Sequence, residues 1–333
     1  MRIGYDEMVR RFDEVLTETG FSEARSVLLA RLFADATRDG VQSHGVLRFA
    51  GFIRQMRSGG TDIQVEPELV GNLGIIEQYD GHMGVGPLNA HFCMARAIEL
   101  AKENGIGCTA LRNTNHWMRP GNYGLQAVEA GCIGICWTNT RQFMPLWGSM
   151  DPKLGSNPIV FCIPREEGPV LVDMALSQYS MGRLGRHRKA GERLPVPGGY
   201  DLDGNPTTDP EAMVEERVRP LPIGYWKGSG LSLALDLIAA LLSGGKSAYQ
   251  VEQQDAEISV SQVFIAFDIE SVLAQQDRRA MMDDVIADLQ SSQSLEGHER
   301  PRYAGEGMLE HRRRSLEEGI EVNDEIWSRI TDL

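Results

Sequence analysis

The chain reads as an α/β protein in which both ends form a helical domain around a sheet-bearing middle. Three observations predict this. Apolar residues recur at helical spacing through residues 5–18 and 22–37. From residue 70 onward short apolar runs alternate with helical segments, the texture of an α/β domain. The last segment, 277–333, is charged and mostly helical again, and is expected to pack back on the N-terminal helices. The expected division is a helical domain over 1–70, joined by 277–333, and an α/β domain over 71–276.

Each element has its own signal. Ser22 is the expected cap of the second helix, and Asp39-Gly40 stops it. Ser43 is the expected N-cap of a third helix that runs to about Arg57 and ends at Gly59-Gly60; Pro67 follows in an extended linker. Then come a strand at 74–78, a helix at 88–104, a strand at 106–111, a helix at 123–130 and a strand at 133–138. Residues 158–163 and 169–174 read as a hairpin around the polar turn 165–168. Residues 185–222 are polar and rich in Gly and Pro, the composition of a long irregular lid or interface arm. Residues 230–243 form a helix apolar on most faces, so it is expected to be buried, and 263–269 form a last strand.

Bulk properties narrow the function. A chain of 333 residues, 42% hydrophobic, is long enough for two domains or one large one. A formal net charge of -14 argues against a nucleic-acid partner, which needs a basic patch. No apolar run approaches the roughly 18 residues of a membrane span, and the charged amphipathic N-terminus does not read as a signal peptide. Cys93, Cys108, Cys132, Cys136 and Cys162 are odd in number, lack a framework spacing and lie mostly in apolar segments. They read as buried thiols of a reducing, cytoplasmic environment.

The stretch SHGVLRF carries the most chemistry. A helix starting at Ser43 places His44 and Arg48 one turn apart on one face. An imidazole and a fixed cation sharing one space suit a small substrate with a carboxylate and a reactive oxygen. The segment NHWMRPGNYG leaves a strand for a helix, where α/β proteins bind ligands, and adds His116 and a guanidinium. Lys227-Gly228-Ser229-Gly230 offers an ammonium beside exposed backbone N–H groups, an anion site by geometry. Asp173 ends an apolar strand, either paired structurally or orienting a histidine.

The usual dinucleotide and phosphate loops are missing. Gly105-Ile106-Gly107 leads into a strand rather than out of one, and Gly84-Val85-Gly86 has Asn89 where the third glycine belongs. Gly245-Lys246-Ser247 follows a helix and has Ala240 in place of the first glycine of a P-loop. His44 and His116 have no Asp, Glu or Cys at ligand spacing, so no metal is expected.

SHGVLRF, NHWMRPGNYG, ICWTNT, GSNP, VDMALS, LPIGYWKGSG and a late GEG, in this order, resemble the malate/L-lactate (sulfolactate) dehydrogenase family, which lacks a Rossmann fold. The resemblance runs from about residue 5 to the end. It implies a homodimer, a non-Rossmann α/β domain binding NAD(P)H, and a 2-oxo acid substrate. By motif it implies His44 as proton donor, His116 in the loop that can carry the acid–base histidine, and Ser43, Arg48 and His116 around the substrate. Asp173 is a further candidate for catalysis. Thr140, Leu171, Val172, Asp173, Met174, Ala175, Trp226, Lys227, Gly305, Glu306 and Gly307 would line the cofactor. The acidic Glu166-Glu167 turn, if near the ribose, favours NADH over NADPH.

Overall fold

The computed structural model describes residues 1–213, 219–254 and 256–333. Its helices are α1 (Tyr5–Glu18), α2 (Glu23–Arg38), α3 (Val46–Arg57), α4 (Gly86–Asn104), α5 (Gly121–Glu129), α6 (Met181–Ala190), α7 (Trp226–Ser243), α8 (Ala248–Glu252), α9 (Gln275–Gln290), α10 (Glu306–Glu318) and α11 (Asp324–Thr331). The main-sheet strands are β1 (Glu68–Asn72), β2 (Ile76–Asp80), β3 (Ile106–Thr114), β4 (Cys132–Thr138), β5 (Ile159–Ile163), β6 (Val170–Met174) and β7 (Val260–Asp268).

The seven strands form one mixed sheet in the order β1-β2-β3-β7-β4-β5-β6. Only β2 and β3 run parallel, joined through α4; every other neighbouring pair is antiparallel. One parallel crossover in an otherwise antiparallel sheet is not a doubly wound dinucleotide fold. β7, late in the chain, fills the gap between β3 and β4. Both faces are covered: Phe264, Tyr123 and Trp117 belong to one core cluster, Val263, Trp137 and Leu235 to another.

The two ends meet. Arg2–Ile3 pairs antiparallel with Ile320–Glu321, and α1, α2, α3 and α11 share a core. Phe12 stacks on Phe49 at 4.1 Å, and Phe33 meets Phe49 edge-on at 5.2 Å. Each such buried ring contributes about 1.5–3 kcal/mol by leaving water. Of the returning segment, α10 and α11 pack on this unit, whereas α9 lies against the 165–167 turn, where Arg279 bridges Glu166 at 2.7 Å and Arg165 bridges Asp283 at 3.0 Å.

Three expectations change. The third helix starts at Val46 with Gly45 at its N-cap; Gln42–His44 is a separate 3-10 turn, and the Ser43 hydroxyl lies 3.2 Å from His44 Nδ1 instead of capping. The cap is supplied from outside: Thr37 Oγ1 accepts the Val46 N–H at 2.9 Å. A side chain at residue 45 would stand 2.3 Å from that same hydroxyl oxygen, so only glycine fits.

The second change is α7. It begins at Trp226, which places Lys227-Gly228-Ser229-Gly230 in its first turns, and it is not buried. Its inner face carries Gly228, Ser232, Leu235, Asp236, Ala239 and Ser243, while Leu233, Leu237, Ile238 and Leu241 face water. Asp236 accepts hydrogen bonds from Asn139 and the Ala248 N–H, and Asn157 donates to Ser232, so the polar groups among these buried residues have partners. Third, the excursion 185–222 is partly regular: α6 reaches into it, although residues 214–218 lie outside the described residues.

Candidate active site

Two chain segments deliver two imidazoles to one place. The rings of His44 and His116 lie parallel, with centroids 5.7 Å apart and an interplanar angle of 3°. His44 comes from the 3-10 turn after α2. His116 comes from the loop between β3 and α5, which is tied down at several points. Asn115 donates to the carbonyls of Met83 and Gly84 at 2.7 and 2.9 Å, and Tyr123 donates to the Trp117 carbonyl at 2.5 Å. A side chain at residue 86 would stand 2.3 Å from the His116 carbonyl oxygen, so glycine there lets α4 start directly beneath the loop.

A carboxylate clasp joins the two histidine segments. Asp39, wholly enclosed, accepts from Arg38 at 2.8 Å, from Arg119 at 2.6 Å and from both donor arms of Arg312 at 2.8 and 2.6 Å. Burial alone would raise its pKa, but the three guanidiniums hold it below the ordinary carboxylate range. Asp39 stands five residues before His44, and Arg119 three residues after His116. Asp39 registers in the sequence only as a helix stop.

Electrostatics keep both rings neutral near pH 7. Burial, then the charges of Arg48 and Arg119, push His44 down to about 4. Burial, then His44 and Arg48, push His116 down to about 3. His116 Nδ1 accepts the Met118 N–H at 3.0 Å, so the proton of its neutral ring sits on Nε2. Arg48 is exposed and pairs with no carboxylate among the described residues. Glu257, which sequence reading missed, lies near enough to Arg48 to feel its charge and accepts the Arg141 N–H at 3.3 Å. Nothing in its local sequence marks it; the fold alone brings it here.

Other expected residues fall into place unevenly. Asp173 does not orient a histidine: its Oδ2 accepts the Gly121 N–H at 3.0 Å, at the N-terminus of α5. The residue is exposed at the surface, yet the protein packed around its carboxyl raises its pKa. Thr140 is buried, and its hydroxyl is spent inside its own loop, donating to the Arg141 carbonyl and accepting the Ser156 N–H. Glu306 is engaged by Arg300 and Gln290 through Oε1 alone, and its Oε2 is buried with no hydrogen-bond partner among the described residues. Glu166 and Glu167 are both bridged by Arg279.

Leu171, Val172, Asp173, Met174 and Ala175 run along and just past edge strand β6. At its start the Leu171 N–H bonds the Ala304 carbonyl, and Gly305, with φ of 101°, packs against the Leu171 backbone ahead of Gly307. Beyond its end the Ile223 N–H bonds the Leu176 carbonyl, which brings up α7 with Trp226 exposed and Lys227 committed to no ion pair among the described residues. An edge strand with an open carboxylate, an uncommitted ammonium at a helix N-terminus and an exposed indole fit an anionic dinucleotide with aromatic rings.

Comparison with known proteins agrees with this architecture. Residues 3–331 match the family described as malate/L-lactate dehydrogenase. A 2,3-diketo-L-gulonate reductase of Klebsiella pneumoniae is 42% identical, and one of Escherichia coli K12 is 40% identical, each alignment covering the whole of both chains. Among solved structures, malate dehydrogenase from Entamoeba histolytica superposes with a TM-score of 0.94 at 25% identity, covering all of this chain and 96% of that one. Sulfolactate dehydrogenase from Methanocaldococcus jannaschii superposes with a TM-score of 0.88 at 26% identity, with the same coverage. A family match over nearly the whole length, together with full-length relatives at this identity, places the chain among the oxidoreductases of the malate/L-lactate dehydrogenase family.

Proposed function

We propose that the protein reduces the C2 ketone of a 2-oxo acid with NADH or NADPH, and that its substrate is 2,3-diketo-L-gulonate, giving 3-keto-L-gulonate. The observation that carries the chemistry is the parallel His44–His116 pair beside an uncommitted Arg48. The full-length relatives named for 2,3-diketo-L-gulonate support the substrate.

Asp173, Trp226, Lys227 and the Gly305 turn would hold the dinucleotide, which when bound supplies the hydride. Arg48 takes the substrate carboxylate in a two-pronged hydrogen bond and so fixes which way the ketone faces. His44 gives its proton to the oxygen as charge develops there. In the unliganded site burial and two cations keep that ring neutral. A carboxylate on Arg48 cancels one of those cations, so the ring gains proton affinity as the acid binds. His116, its Nδ1 tied to the backbone, holds His44 in plane and offers Nε2–H as a second donor. A homodimer is part of this reading: the outward leucines of α7 form an apolar face that a second copy would cover.

Steady-state kinetics with both cofactors and a panel of 2,3-diketo-L-gulonate, oxaloacetate, pyruvate and sulfopyruvate test the proposal. The highest kcat/KM is expected with 2,3-diketo-L-gulonate. A higher value for oxaloacetate would move the assignment to a malate-type enzyme, and no cofactor oxidation with any acid would remove the reading.

A further inference from the structure

α6 is an anomaly of charge. The chain carries a net -14, yet residues 183–193 hold Arg183, Arg186, Arg188, Lys189 and Arg193 against one acid, Glu192. Arg186, Arg188 and Lys189 are exposed. Among the described residues, the only ion pair in this stretch is His187 with Glu192 at 3.6 Å. Among the described residues, no other acid lies within ion-pair distance of this cluster, so its charge is not spent on holding the fold.

Its position gives it a use. The Ser180 hydroxyl accepts the Arg183 N–H at 3.3 Å and starts the helix. The first turn abuts the active site: a side-chain carbon on Gly182 would stand 3.2 Å from Ser43 Cβ, next to His44. Arg183 is braced over the Tyr179 ring, 5.2 Å from its centroid. At 1.5 Å rise per residue, Arg186 lies about 6 Å along the axis from Gly182. That is within a Debye length, about 10 Å at 0.1 M salt. An acidic protein repels an anionic acid from a distance, and a local positive patch beside Ser43 and His44 reverses that field near them.

We infer that α6 is an anion-collecting arm that draws the substrate carboxylate toward Ser43, His44 and Arg48. This rests on the 2-oxo acid reading and adds the route by which the acid arrives. The arm acts through its field, not through contact with the reacting atoms, so it raises kcat/KM and leaves kcat alone.

The test is the triple variant R186E/R188E/K189E, with R186Q/R188Q/K189Q as a milder version that spares the fold. The kcat/KM for the keto acid, at saturating dinucleotide, is measured at low and high salt. The expected result is a loss of about ten-fold near 10 mM salt, shrinking to under two-fold near 0.5 M, with kcat unchanged and the neutral variant in between. No loss at low salt overturns the inference, as does an equal loss at both salts, which marks a structural defect. A loss confined to the dinucleotide's own kcat/KM overturns it too, by giving the arm to the cofactor. Oxalate binding, followed by calorimetry over the same salt range, needs no turnover; its salt response separates failure of the arm from failure of the assigned reaction.

Discussion

His44 and Arg48 define the residue scale. Replacing His44 with Ala should lower kcat by about 10²–10⁴-fold, the usual worth of a positioned acid or base, with an unchanged circular-dichroism spectrum. Wild-type turnover in that variant would take His44 out of the chemistry. Arg48→Lys keeps the charge but loses the planar fork, so KM for the keto acid should rise while KM for the dinucleotide stays put. Both histidines also make the fold acid-sensitive. Their folded pKa values, about 4 and about 3, lie below the ordinary 6.5. The unfolded chain therefore binds their protons first, and stability falls as pH drops from about 6.5 toward 4. Thermal melts at pH 7 and pH 5 check this: a His44→Asn/His116→Asn variant should lose less on acidification than the wild type. The pair His44 and Arg48 was legible as neighbours in the chain, but not as one helical face, since Gly45 breaks the backbone between the 3-10 turn of His44 and the helix of Arg48. The cap was not, since the acceptor for Val46 comes from Thr37 on another helix.

At the scale of elements, the Asp39 clasp and α7 decide the outcome. Asp39→Ala leaves three guanidiniums, one of them 1% exposed, without their shared carboxylate. Breaking a buried pair of this kind costs about 3–5 kcal/mol. Urea unfolding should show the midpoint shifting down with little change in slope, and an unshifted midpoint would deny the clasp its structural weight. No local pattern announces it, because Arg119 and Arg312 lie 80 and 273 residues from Asp39 in the chain. β1 was missed for a related reason: four of its five residues are exposed, so no alternation marks it. By contrast β3 and β7 are buried along most of their length and read as apolar runs. α7 shows the opposite failure. Its hydropathy suggested a buried helix, but in one copy of the chain only Leu235 and Ala239 join the polar residues facing inward, while Leu233, Leu237, Ile238 and Leu241 face outward.

At the scale of the whole molecule, that outward face is the argument for two copies. Leu237 and Leu241, one turn apart, are 46% and 78% exposed. Replacing both with Glu should convert a dimer to a monomer in sedimentation while the wild type remains dimeric; a monomeric wild type would discard the interface. The arrangement of both chain ends over a sheet-bearing middle was readable from changes in periodicity along the chain, whereas the place of β7 between β3 and β4 was not, since strand order leaves no trace in periodicity. The most direct measurement is a crystal structure with dinucleotide and a non-reducible 2-oxo acid analogue. It should show the analogue's carboxylate on the Arg48 guanidinium and its C2 oxygen within hydrogen-bond distance of His44. An acid bound out of reach of both side chains would contradict the account.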